Sequence, residues 1–73
     1  MKQALALLNI KQVAQRIGLS KSSIYRRLNP KEKLYDPNFP KPVKIGDTTT
    51  RWVECEIEAW LQEIIEHRRY IEA

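Results

Sequence analysis

Apolar side chains recur along this chain first at helical spacing, then in alternation, then at helical spacing again, and each change of period marks an element boundary. Ile10, Val13, Ala14 and Ile17 lie three and four residues apart, on one face of a helix. Asn9 precedes that face and Gln12 follows three residues later, a variant capping box that starts the helix at residue 10. Gly18 can take the positive φ that ends it. Ile24 and Leu28 form the inward stripe of a second helix, with Ser20 as its N-cap and Asn29 and Pro30 as its stop. Ala14, Gly18 and Ile24 are spaced as the small crossing residue, turn residue and core anchor of a helix-turn-helix.

Pro30, Pro37, Pro40 and Pro42 exclude helix from residues 29–42 and predict a stiff irregular connection, pinned to the core by Tyr35 and Phe39. Val43 and Ile45 then alternate about Lys44, Gly46 and Asp47 supply turn chemistry, and residues 50–53 are strand formers. A β-hairpin with its tip at residues 46–49 follows. Val53, Ile57, Trp60, Leu61, Ile64 and Ile65 make the stripe of a last amphipathic helix, with Arg68 and Arg69 in its final turn complementing the dipole. Leu5, Leu7 and Leu8, ahead of the first helix, are expected as core packing or a short extended segment. The predicted fold is one domain over residues 1–73, mainly α with a small β-hairpin. It is a winged helix-turn-helix: helix-turn-helix 10–28, loop 29–42, wing 43–53 and C-terminal helix 54–71.

Length and charge sharpen this picture. A chain of 73 residues buries only roughly 60% of the surface its unfolded form exposes, leaving little room for a deep catalytic pocket. Residues 1–53 hold 11 Lys and Arg against 3 Asp and Glu, whereas residues 54–73 hold 2 against 6. A chain positive at one end and negative at the other favours one polyanion-facing surface, because the acidic helix is repelled from phosphate. Taking about 100° per residue from Ile24, the outward positions of the second helix are Ser22, Tyr25, Arg26 and Asn29.

Double-stranded DNA is therefore the expected partner, with the second helix in the major groove and the hairpin tip on the adjacent backbone or minor groove. The candidate DNA-binding residues are Lys21, Ser22, Ser23, Tyr25, Arg26 and Arg27 on the helix, and Lys44, Thr48, Thr49 and Arg51 on the wing. Arg26 has the fork that can pair with guanine. Some of these positions have a second reading. Arg27, nearer the buried side, either meets phosphate or packs its stem or pairs with the acidic last helix. Tyr25 either reads DNA or covers the hairpin edge, and Arg51 either faces DNA or binds a carboxylate such as Glu54. Trp52 and Trp60 are expected in the core.

Catalytic and metal chemistry find little here. His67 is the single histidine and sits among charged residues near the C-terminus. Glu54, Glu56 and Glu58 suit the positive end of their helix better than a general-acid role. Cys55 stands alone, so neither a disulfide nor a multi-cysteine zinc site can form, and it is expected as a half-buried residue of the first turn. No enzyme activity, cofactor or metal is expected. Without a segment of signal-peptide or bilayer-spanning pattern, the expectation is a cytoplasmic protein with no membrane partner.

The runs LLNIKQVAQRIGLSKSSIYRRLNP, YDPNFPKPVKIG and RWVECEIEAWL, within residues 7–61, closely resemble the AlpA-type phage and prophage regulators, small relatives of excisionases and of the MerR-like winged-helix group. The resemblance implies a DNA-binding transcriptional regulator of a prophage or integrated element, with Ser22, Ser23, Tyr25 and Arg26 on the recognition helix and residues 44–51 on the wing. Asp47 departs from the Arg or Ser that many such proteins carry at the wing tip, leaving Thr48 and Thr49 to offer neutral hydrogen bonds. Two alternatives stand beside the regulator. One is a recombination directionality factor that bends attachment-site DNA. The other is a protein-interaction module that holds an integrase or response regulator through the acidic last helix and Tyr70. RNA polymerase is a further expected contact of an activator, and a dimer or cooperative array is expected on DNA.

Overall fold

The computed structural model describes residues 5–68, in the order β1 (Leu7–Leu8), α1 (Ile10–Ile17), α2 (Lys21–Leu28), β2 (Val43–Ile45), β3 (Thr49–Val53) and α3 (Glu54–Arg68). The caps read from the sequence are in place. The Asn9 side chain accepts from the Gln12 N–H at 2.8 Å, and the Gln12 side chain accepts from the Asn9 N–H at 2.9 Å, so two orphan donors of α1 are satisfied reciprocally. Gly18 closes α1 at φ 72°, its N–H bonded to the Ala14 carbonyl at 2.9 Å. Ser20 Oγ accepts from the Ser23 N–H at 3.1 Å and starts α2 two residues later than Gly18, so the turn between the helices is short.

The hairpin is part of a larger sheet. β3 pairs antiparallel with β2 on one side, Val43 opposite Arg51 and Ile45 opposite Thr49, and with β1 on the other, Leu7 opposite Val53 and Leu8 opposite Trp52. A bond from the Glu54 N–H to the Ala6 carbonyl at 2.8 Å extends that second pairing. Side chains alternate across a sheet, so Leu8, Trp52, Thr50 and Lys44 share the inner face, while Leu7, Val53, Arg51, Val43, Thr49 and Ile45 share the outer one.

The core is small and composite. Its buried residues are Leu8, Val13, Ile24, Phe39, Trp52 and Ile57, one each from β1, α1, α2, the loop, β3 and α3. Trp52 is the largest, with no exposed surface, and its indole N–H donates to the Pro40 carbonyl at 3.2 Å. Every element but β2, which is exposed throughout and joins the domain by its pairing with β3, thus sends one buried anchor into the same centre.

Several expectations are corrected. Leu5 is 80% exposed and Leu7 lies on the open outer face, because the chain joins the sheet from Ala6 onward and only Leu8 points inward. Of the two loop aromatics, Phe39 alone is buried. Tyr35 is exposed, since a core with one position for the loop takes the ring that packs edge-on against Trp60, at 4.8 Å between centroids. Trp60 is half-buried at the margin, donating its indole N–H to Asp36 Oδ2 at 3.1 Å. Cys55 is exposed: two residues before the buried Ile57, it falls on the far side of α3. The expected course of the last helix over residues 69–71, with Arg69 and Tyr70, lies outside the described residues.

Candidate nucleic-acid interface

α2 is positioned from both ends. Its N-terminus is fixed by the Ser20 cap and the left-handed Gly18 before it, its middle by the fully buried Ile24, and its end by the bond from the Asp36 N–H to the Arg27 carbonyl at 2.9 Å. With Ile24 pointing into the core, Ser22 and Arg26 stand four residues apart on the opposite crest of the helix. Lys21, Ser22, Tyr25 and Arg26 are all exposed. Ser23 is half-buried, with its N–H taken by the cap.

Tyr25 is fixed without being hidden. Its ring lies 6.5 Å from that of Trp52 at a tilt of 57°, yet the residue is 50% exposed, so the two readings of Tyr25 are compatible: one edge covers the sheet and the other faces out. Lys44 shares the sheet face of Trp52, toward which Tyr25 leans, and it is exposed. Thr48 is exposed in the turn between β2 and β3, where Gly46 adopts φ 73°.

Other candidates are placed apart from this crest. Arg27 is half-buried with its Nε enclosed and without a hydrogen-bond partner, and among the described residues it makes no ion pair with α3. Its stem packs inward. Arg51 and Thr49 are half-buried on the outer sheet face, and the Arg51 guanidinium donates to the Thr50 carbonyl at 2.9 Å. The carboxylate expected for Arg51 is engaged elsewhere: Arg16 of α1 reaches Glu54 at 2.5 Å and Glu58 at 3.4 Å. Sequence reading had no purchase on that bridge, since the partners stand 38 and more residues from Arg16, outside any helical pairing rule. The only available hint was that Arg16 occupies the last turn of α1 while the acids open α3.

The resulting electrostatics are uneven in a useful way. The acids at the start of α3 are partly neutralised within the protein, while Lys21, Arg26 and Lys44 hold no ion pair among the described residues. Such a surface presents cationic, hydroxyl and aromatic groups together on a rigid helix. It can neutralise phosphates and offer donors to base edges. Among the described residues no group of His, Cys, Asp and Glu is arranged to hold a metal ion, and no helix is long and apolar enough to cross a membrane.

Known proteins give the surface its context. The family model described as Prophage CP4-57 regulatory protein (AlpA) matches residues 6–65. The DNA-binding transcriptional activator AlpA of Escherichia coli (strain K12) is 37% identical over 62 residues, which span 85% of this chain and 89% of the relative. No solved structure matches the chain.

Proposed function

We propose, because this chain belongs to the AlpA family of prophage regulatory proteins, that it binds double-stranded DNA sequence-specifically as a transcription regulator of a prophage or integrated element. The observation that carries this reading is the outer side of α2, where Ser22, Tyr25 and Arg26 stand exposed, with Lys21 exposed in the first turn, on a helix anchored by Ile24 and capped by Ser20. In this reading the protein is a winged helix-turn-helix and α2 enters the major groove. Arg26 reads a base, Ser22 and Tyr25 contact base edges or the thymine methyl, and Lys21 takes a phosphate. Lys44 and Thr48 meet the neighbouring backbone from the wing. Ser23, Arg27, Thr49 and Arg51 serve the protein's own structure.

A selection of bound sequences from a random DNA pool, followed by binding titrations, tests the assignment. Arg26→Ala is expected to cost about 1 to 3 kcal/mol at the selected site and to relax preference at one base position, whereas Lys44→Ala weakens all sequences about equally. Selectivity unchanged by Arg26→Ala would remove α2 from the base-reading role. The finer role is separated by bend angle and cooperativity: an excisionase-like factor bends attachment-site DNA and fills repeated sites together, while a promoter regulator needs neither.

A further inference from the structure

A groove runs between the loop and the exposed side of α3. Pro40, Ala59, Trp60 and Ile64 supply its apolar surface, and Asp36, Glu56 and Glu63 its carboxylates, with Asn38 and His67 completing the lining. The Trp60 ring is held in place from both directions, by its indole bond to Asp36 and by edge-on packing against Phe39. The groove is thus a preformed apolar slot with an acidic rim. Its natural occupant carries an apolar side chain next to a cation.

The same loop displays that combination. Leu34 and Tyr35 are 42% and 38% exposed, large apolar groups left uncovered immediately before Asp36 at the groove, and the exposed Lys33 precedes them. Glu32 and Lys31, also exposed, nearly cancel one another, so Lys33 sets the sign of the knob. Two backbone bonds hold it in shape, a turn closed by the Tyr35 N–H on the Glu32 carbonyl at 3.1 Å and a longer-range bond from the Asp36 N–H to the Arg27 carbonyl at 2.9 Å. Knob and groove adjoin in the chain where Tyr35 meets Asp36, and a two-fold contact requires each copy to offer both parts to the other at once.

We infer that this face is a self-complementary dimer contact: Leu34 and Tyr35 of one copy enter the groove at Trp60 and Ile64 of a second copy, and Lys33 lies against Glu56 and Glu63. Charge complementarity selects the second copy as occupant. The carboxylates disfavour an acidic or purely apolar partner, and the chain's own knob brings the missing cation. The contact leaves the crest of α2 unused, so the dimer forms without DNA and presents two recognition helices.

Sedimentation equilibrium of the full chain without DNA tests the inference, with circular dichroism confirming that each variant is folded. Wild type is expected to dimerise at about 100 μM or below, in the range of small, transient interfaces. Leu34→Asp, Lys33→Glu and Glu63→Lys, all at exposed positions, each weaken association by about tenfold or more. An equimolar mixture of the Lys33→Glu and Glu63→Lys proteins regains it, since each copy then offers the charge its partner lacks. A monomer throughout that concentration range overturns the proposal. So does a dimer that survives Leu34→Asp and is lost with Val43→Asp on the outer sheet face, or a mixture that stays monomeric. Loss of DNA affinity by Arg26→Ala with self-association intact bears on the DNA reading alone.

Discussion

α2 and α3 are both amphipathic helices docked on the same small core, yet they treat their charge in opposite ways. α2 has Lys21 exposed in its first turn and Arg26 on its outer crest, neither in an ion pair among the described residues, and no acidic residue in its first turn. α3 opens with Glu54 and Glu56, places Glu58 one turn on, and ties Glu54 and Glu58 to Arg16 across the domain. Where charge stabilises the fold it is paired, and where it is left unpaired another molecule can complete it. Overall net charge does not convey this. A modest +4 is the sum of a net +8 over residues 1–53 and a net −4 over residues 54–73.

The strongest way to break the contrast is to remove what both helices share. Trp52→Ala deletes the largest buried side chain and the support behind Tyr25, and is expected to cost about 3 to 5 kcal/mol in a domain with little to spare. Thermal unfolding followed by circular dichroism should show a chain largely unfolded at 25 °C, with DNA binding lost alongside. A folded variant with full DNA affinity would mean that the core does not position α2.

Salt probes the free charge directly. With about five phosphates neutralised per protomer, the log-log slope of affinity against salt is near −4.5, a loss of roughly 500-fold between 50 and 200 mM. Stability should hardly move over the same range, because the core anchors are apolar. A flat binding curve would erase the difference between the two helices.

Smaller effects sharpen it. Ser20→Ala removes the cap of α2 and is expected to lower stability by about 1 kcal/mol, read from urea unfolding, with a parallel loss of DNA affinity as the helix start frays. Arg16→Ala breaks both ion pairs to α3, but its side chain is 43% exposed and solvent screens the contact, so about 0.5 to 1 kcal/mol is the expected cost. DNA affinity should stay within twofold of wild type. A tenfold drop in affinity at unchanged stability would assign Arg16 to the DNA surface instead, and the pairing rule drawn from α2 and α3 would fail.

The parts of the fold legible in advance were the local ones. The capping box of Asn9 and Gln12, the left-handed Gly18, the Ser20 cap and the proline stop after Leu28 each involve groups within three or four residues, so their chemistry is complete on the line of text. The alternation of Val43, Lys44 and Ile45 likewise announced the hairpin, and the outward crest of α2 followed from the position of Ile24. β1 was legible only as one of two readings, core packing or a short extended segment, since two residues become a strand only through pairing with Trp52 and Val53, more than 40 positions on. The same distance hid the bridge from Arg16 to α3, and it turned Leu7, Val43 and Ile45 outward on a sheet face that the alternation alone could not orient.

Within the candidate site the division is just as physical. Residue type and helical angle were enough to nominate Ser22, Tyr25 and Arg26, because a helix fixes relative direction once one inward residue is known, while Lys21 was nominated by its charge near the helix start. They set Arg27 nearer the buried side than Arg26 and Arg51 opposite Trp52, but they could not say which groups of the protein Arg27 and Arg51 would meet, because those outcomes depend on what the rest of the chain packs against each side chain. Order along the chain specified the elements and their caps through short-range hydrogen bonding and periodicity. Tertiary packing decided which charges were consumed and which remained free, since pairing energy depends on distances in space that sequence separation does not encode.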